Sequence, residues 1–418
     1  MNKTNYSSRL LYWIAFTSSL STAGAVMSLI ALSSTFFAES REGIASSSIQ
    51  LVQYLGIACV GFFGGMILQK WSSVTLGIVG PVMSAFIVFY FATCDVIPFT
   101  TGLIGIFLIF LLNGIDHPNN LRFFNQIVDK SNKLKFFSFT ESMAATLQVV
   151  SPIIAGMIIA HMGVKACFFI DGCTYLISAL PWFIVSLKQR KKIENDLPKE
   201  SNAFIGFSCI FKNQEIRSLT ISRLLNNLAY VTCTTAIPLI IAIIANKNEE
   251  IFTFHLAVTN SFISAGFIGT GVLVGSLSKK NQGVVSLVYL TPFIGIVSSI
   301  LLVSSIKFHS LLYLSACLLG IGTYCFRISG MTLGQAYTPP NILGSVIIAG
   351  DTIVRGWSFL VSASTLAIFE IYPALYPTLG FSFEHLFILN ILPLGALFAP
   401  KWSLRLAKQN ALKLKSLD

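Results

Sequence analysis

The sequence predicts an all-α integral membrane protein with twelve transmembrane helices in two pseudo-symmetric six-helix bundles. Three observations predict it. The chain of 418 residues is 54% hydrophobic and only 11% charged, and its mean hydropathy is +0.75. A soluble domain of that length needs a larger polar coat. Second, apolar runs of roughly 18 residues or more recur from end to end, each long enough for a membrane helix. The alternating segments of about ten residues that mark a membrane β-barrel are missing. Third, the chain begins again past its midpoint. "SRLL" at Ser8–Leu11 recurs at Ser222–Leu225, and Ile14-Ala15-Phe16 is answered by Leu228-Ala229-Tyr230.

The elements follow in order. The first six apolar segments run over 10–38, 45–69, 73–94, 99–121, 137–160 and 166–187. The second six run over 217–245, 251–277, 283–305, 310–334, 343–369 and 383–400. Most connections are short. The exceptions are 122–136 and the polar stretch 188–216, which contains "KQRKKIENDLPKES". The domain reading is therefore a bundle over 1–187, a linker over 188–216 and a second bundle with a tail over 217–418. Within the linker, "AFIGFSCIF" at 203–211 reads as a short amphipathic helix lying at the interface.

Lys and Arg set the orientation. With an even number of spans both termini share one side. All 28 Lys and Arg fall on that side or in its loops, except Arg41, Lys165, Lys247 and Lys307 on the other side and Arg327 and Arg355 within segments. The termini and the central loop are thus predicted to be cytoplasmic, in an inner, multi-pass membrane location. The net charge of +11 is topological and calls for no nucleic acid. No cleavable signal peptide is read, because the first apolar run is long and leads into further spans. The eight cysteines lie mostly inside apolar runs, none at CxxC spacing. They read as small core residues, and no metal site or cofactor is expected.

The repeat extends further. "GFFGGMILQK" (61–70) and "GVLVGSLSKK" (271–280) share the pattern G-x-x-x-G-x-x-x-x-K at the cytoplasmic end of the second helix of each half. Two six-helix halves of parallel orientation suit an alternating-access transporter with its substrate between the halves near the midplane.

On these residues the sequence resembles the major facilitator superfamily over the whole chain. The loop after helix 2 is similar to that family's G-x-x-x-D-[RK] motif, with Gly65 and Lys70 in the first copy and Gly275 and Lys280 in the second. Gln69 and Lys279 stand where the family has Asp. Residues 121–186 resemble macrolide-efflux-like drug exporters, a branch that includes siderophore exporters. The likeness is carried by Ser151-Pro152 in helix 5 and by a helix 6 of the type FxIDxxxYxISA from Phe169 to Ala179. "IGFSCIFKNQEIRSL" (205–219) is similar to the segment before their helix 7. The resemblance implies secondary export and proton antiport.

Ionisable groups inside a span cost about 2.5–3.5 kcal/mol each on insertion scales, so each needs a reason. Glu141 and Asp351 share the 210-residue offset of the glycine motif, which places them at equivalent depths in the fifth helices of the two halves. They could couple protons or bind a cationic substrate. The competing role is an inner-gate salt bridge, and for Asp351 the candidate partner is Arg355, one turn on. Glu141 has no such neighbour and is the preferred proton site. In "NGIDHPNN", Asp116 and His117 form either a proton relay or a capped polar helix end. Arg122 reads as a headgroup or gate residue, and Asp171 as structural. Arg327 either binds an anionic substrate group or locks Asp351. Asn113, Asn226 and Asn227 are candidate cavity residues, and the hydroxyls of helices 1 and 7 either line the cavity or join helices.

There is no phosphate-binding loop, no H-E-x-x-H and no G-x-S-x-G, so ATP-driven transport and hydrolysis are unsupported. The expected partners are a small-molecule substrate, protons and the lipid bilayer, with the protein a monomer. Uptake or facilitated diffusion of a metabolite is the alternative within transport. A lipid scramblase is the alternative outside it.

Overall fold

The computed structural model describes residues 8–128, 133–189, 205–277, 281–338 and 343–375. All the secondary structure among them is helical. The first bundle contains α1 (Ser8–Ser40), α2 (Gly43–Lys70), α3 (Ser73–Thr93), α4 (Phe99–Ile127), α5 (Lys133–Met162) and α6 (Val164–Gln189). A short α7 (Ile205–Lys212) precedes α8 (Gln214–Ala245), α9 (Glu249–Leu277), α10 (Asn281–Ser304), α11 (Ser310–Tyr337) and α12 (Leu343–Leu375). Ten of these helices are long and apolar enough to cross a membrane. The span expected at 383–400 lies outside the described residues.

Local chemistry places several ends. Ser72 accepts from the Thr75 N–H and starts α3. Asn213 Oδ1 accepts from the Glu215 and Ile216 N–H groups at 2.9 and 3.1 Å and starts α8. Asn246 ends α8 in the left-handed region. Prolines 81, 118, 152, 181, 238 and 292 all sit inside helices. A soluble helix tolerates this badly, but in a membrane bundle the neighbouring helices take up the freed carbonyls.

The polarity is that of a protein solvated by lipid. Large apolar side chains such as Phe86, Met157, Phe169, Leu187 and Phe254 point outward. Many hydroxyls are buried, and they mostly bond back along their own helix: Thr17 donates to the Trp13 carbonyl at 3.0 Å and Ser19 to Ala15 at 2.9 Å, as does the exposed Thr22 to Ser18 at 3.0 Å. These three helix 1 hydroxyls, open to either cavity lining or helix joining by sequence, donate to their own backbone.

Helices approach one another where a side chain is missing. On α11, Gly320 lies against the Ile263 backbone of α9, and Gly266 of α9 lies against the Cys317 carbonyl. This reciprocal pair lets the two backbones cross closely. Between the bundles, Gly61 of α2 is packed under the Thr352 side chain of α12. The expected interfacial helix is α7. It seats Gly206 against the Ser345 carbonyl of α12 and buries Ile210 among Ile216, Val346 and Ala349, leaving Phe211 exposed.

The seam between the bundles is tight at the end carrying the α1–α2 and α8–α9 turns. Phe37 stacks on Phe252 with centroids 4.0 Å apart. Thr253 donates to Ser34 Oγ at 2.9 Å, and Arg41 donates to the Lys247 carbonyl at 3.0 Å. Gly43 packs on Pro238 and Leu239. Among the described residues, α4 and α5 make little contact with α11 and α12. The bundles also meet along α5–α9 and along α2–α12 as far as Gly61 and Thr352. At the tight end Lys165 reaches Asp95 at 2.6 Å, and this hydrogen-bonded cation holds the exposed Asp95 carboxyl below its ordinary range.

Overpacking at the α9–α11 crossing should be costly. Gly320→Val is expected to lower stability by about 1–3 kcal/mol. Gly80→Ala, at a site with nothing within 4 Å, should leave it unchanged. Thermal melts of the purified protein in detergent measure both.

Candidate functional site

The intramembrane polar groups fall into two sets. In the first bundle, α4 presents Asn113, Asp116 and Asn120 at three- and four-residue spacing, so they share one face. Asn113 Nδ2 donates to the Tyr175 hydroxyl of α6 at 3.1 Å. Asn120 Nδ2 donates to Ser18 Oγ of α1 at 3.1 Å. Asp116 lies between these two bonds. Its Oδ1 is sealed from solvent and has no hydrogen-bond partner among the described residues. His117 is adjacent in sequence but exposed. Consecutive helical residues point about 100° apart, which is why the acid is enclosed while the imidazole is not.

The second buried acid of this bundle is Asp171, 1% exposed on α6. Its Oδ2 accepts from Ser28 Oγ of α1 at 2.5 Å, and its Oδ1 accepts from Thr174 Oγ1 at 3.4 Å. Gly24 of α1 leaves the space these groups occupy. Asp171 thus fastens α1 to α6. Toward the opposite end of the bundle, Arg122 donates to the Leu68 carbonyl of α2, so this guanidinium closes a helix end. Glu141 lies in α5, with its side chain outside the described residues. Of the glycine motif, Gly65 and Lys70 close α2, with Lys70 exposed, and Gly275 lies near the end of α9. Lys280 lies outside the described residues.

In the second bundle the arrangement differs from the local pairing expected. Asp351 of α12 does not pair with Arg355, one turn away. Arg223 NH2 of α8 reaches its Oδ1 at 3.1 Å, with the two side chains 30% and 45% exposed. Arg223, which the Lys and Arg count places toward the cytoplasmic side, is an interhelical partner. Arg355 turns toward the first bundle and lies over the Tyr54 ring of α2, 5.7 Å from its centroid. Arg327 is exposed on α11, and Asp351, which it could lock in one of its two candidate roles, is taken by Arg223. The adjacent amides of α8 also diverge. Asn226 is fully buried and donates to Thr291 of α10 at 3.0 Å. Asn227 is half-buried and donates to Ser358 of α12 at 3.1 Å. Both join helices in this structure.

Where the bundles meet, side chains come from three helices. The Tyr54 hydroxyl lies 3.3 Å from Thr234 Oγ1 of α8. Thr234 donates to the Val231 carbonyl at 3.1 Å, so Tyr54 is the donor of that pair. Trp357, Val231, Val361 and Phe359 form the apolar surround. Sequence reasoning missed Tyr54, one of 12 tyrosines with no charged neighbour in the chain to single it out.

Two helical bundles with a tight seam at one end, polar groups along that seam and buried acids within the spans define a non-enzymatic membrane transporter. The family model of the Major Facilitator Superfamily matches residues 11–363. The chain belongs to the major facilitator superfamily. Solved structures share its fold. The POT family transporter PepTSo superposes with a TM-score of 0.74 at 12% identity, covering 97% of this chain and 99% of that one. A POT family transporter in complex with 5-aminolevulinic acid gives 0.70 at 12% identity, covering 94% and 96%. The nucleoside transporter NupG, in a mutant form, gives 0.69 at 12% identity, covering 95% and 99%. No curated protein matches the chain in sequence.

The Arg223–Asp351 pair is partly exposed, so its coupling should be modest, about 0.5–1 kcal/mol. Asp351→Asn and Arg223→Gln should each destabilise the protein, with the double variant losing less than the sum. A double-mutant cycle on melting in detergent measures the coupling.

Proposed function

We propose that the protein is a secondary active exporter of a small amphipathic molecule, energised by proton antiport and working by alternating access. The observation that carries the reading is Asp116. One oxygen of this carboxylate is sealed inside a span with no donor among the described residues, an arrangement that disfavours a bare charge, so the group needs a proton or a cation whenever the site is closed. An acid that gains water access in one state and loses it in another is the element a proton-coupled carrier needs. Glu141, one helix on, is the second candidate for the same task, and Asp351 with Arg223 acts as a gate between α8 and α12.

The direction of transport rests on the likeness of residues 121–186 to macrolide-efflux-like exporters. The Lys and Arg distribution supports placing the termini and the α7 linker in the cytoplasm. On that orientation the end closed by Phe37, Phe252 and Arg41 faces outward. Organisation as two rocking bundles over 1–187 and 217–418, joined by 188–216, follows the same reading. The protein acts as a monomer, with the substrate held between the bundles.

The test begins with a thermal-shift screen of the purified protein against macrolides, siderophores and metabolites. The ligand found is then followed in proteoliposomes under an imposed proton gradient. Wild type should drive it uphill against the proton flow. Asp116→Asn should lose gradient-driven flux down to the level of protein-free liposomes while retaining downhill exchange. Asp116→Asn with wild-type coupling sinks the proton role of Asp116, and unchanged coupling in Glu141→Gln removes Glu141. Uphill uptake in the direction of proton entry replaces export with symport.

A further inference from the structure

In the second bundle the carboxylate nearest Arg355 along the chain is already paired. Arg223 takes Asp351 at 3.1 Å. Among the described residues this leaves Arg355 with no carboxylate partner, and its recorded contact is the face of Tyr54 at 5.7 Å. An arginine remains charged in proteins. A ring face offsets only part of the cost of holding it in a membrane interior.

The position is central. Counted from Ser345, where the span opens, a helical rise of 1.5 Å per residue puts Arg355 about 15 Å deep. Counted from Gly43, Tyr54 is about 16 Å deep from the opposite end of α2. In a hydrocarbon core about 30 Å thick both are near the midplane. Arg355 is partly exposed, so its guanidinium is reachable. The Tyr54 hydroxyl donates to Thr234 at 3.3 Å and is held in place. Val231, Trp357 and Phe359 supply an apolar wall alongside.

Asp351, the acid one turn from Arg355 on the same helix, is taken by Arg223 of α8. An anionic group at this depth between the bundles therefore meets, in Arg355, a guanidinium with no carboxylate among the described residues. A planar guanidinium with five N–H donors fits a carboxylate through two parallel hydrogen bonds.

We propose that Arg355, positioned by Tyr54 and its partner Thr234, is an anion-binding subsite between the bundles near the midplane, and that the transported class is small amphipathic organic acids. The carboxylate docks on the free edge of the guanidinium, and the apolar body lies along Val231, Trp357 and Phe359. This deepens the transporter reading and depends on it for the purpose of the site. It assumes neither a direction of transport nor proton coupling.

The experiment measures equilibrium binding to the full-length protein in detergent, with no gradient imposed. The probes are N-acetyltryptophan and decanoate, each beside its neutral amide and the amine of matching skeleton. Binding is read by thermal shift and by quenching of intrinsic fluorescence. The acids should bind wild type at least about tenfold more tightly than the amides or amines. Arg355→Ala should abolish that preference, and Arg355→Lys should restore part of it. Tyr54→Phe keeps the ring but loses the bond to Thr234, and should weaken the acids without admitting the amines. The comparison among probes on wild type needs no variant to fold. Equal binding of acid, amide and amine overturns the proposal. So does failure of both acids to bind, or an unaltered acid preference in Arg355→Ala. Loss of proton-driven export with the acid preference intact would sink only the antiport reading.

Discussion

In a hydrocarbon surround no water is at hand to solvate a stray charge. Each ionisable group within a span must find its counterpart in the protein, in a proton or in the transported molecule. That constraint organises the whole molecule. It turns Phe86, Met157 and Phe254 outward and hydroxyls inward. It bonds most of those hydroxyls back to the helix that carries them, and it leaves a short set of exceptions where the internal pairing is incomplete. Among the described residues Asp116 and Arg355 are two of these exceptions, one acid and one base, in different bundles.

The pairing that is complete explains the pairing that is not. Arg355 is spaced to clasp Asp351 on the same helix, but such an intrahelical contact ties nothing together. The structure spends Asp351 on Arg223, which joins α8 to α12. The charge thereby released meets Tyr54 of the other bundle at the depth where a substrate would sit. In the first bundle Asp171 is spent on Ser28 and joins α1 to α6, leaving Asp116 as the acid whose Oδ1 is unanswered among the described residues.

Close packing of small residues supplies the second organising element. Helices in lipid gain nothing from hiding apolar surface, so they associate by contact and by hydrogen bonds. Gly320 and Gly266 bring α11 and α9 together, and Gly61 lets Thr352 of α12 sit on α2. The last crossing lies between the bundles.

The spans were legible because hydropathy is a local property that accumulates along the chain. Eleven of the twelve expected segments coincide with described helices to within a few residues, and the amphipathic segment became α7. The internal repeat and the family were legible for a related reason, since SRLL and the paired glycine motifs are strings that can be compared directly. What a charged residue touches was not legible. Arg223 and Asp351 are 128 residues apart in the chain, and Tyr54 and Arg355 belong to different bundles. Asn226 and Asn227 are neighbours in sequence yet bond to different helices. By itself the sequence determined that the chain crosses a membrane as two related sets of helices, and which residues would be costly to bury. Only the tertiary structure decided which of those costs are met inside the protein and which remain open, because pairing depends on how helices rotate and cross, and the periodicity of a single helix carries no record of its neighbours.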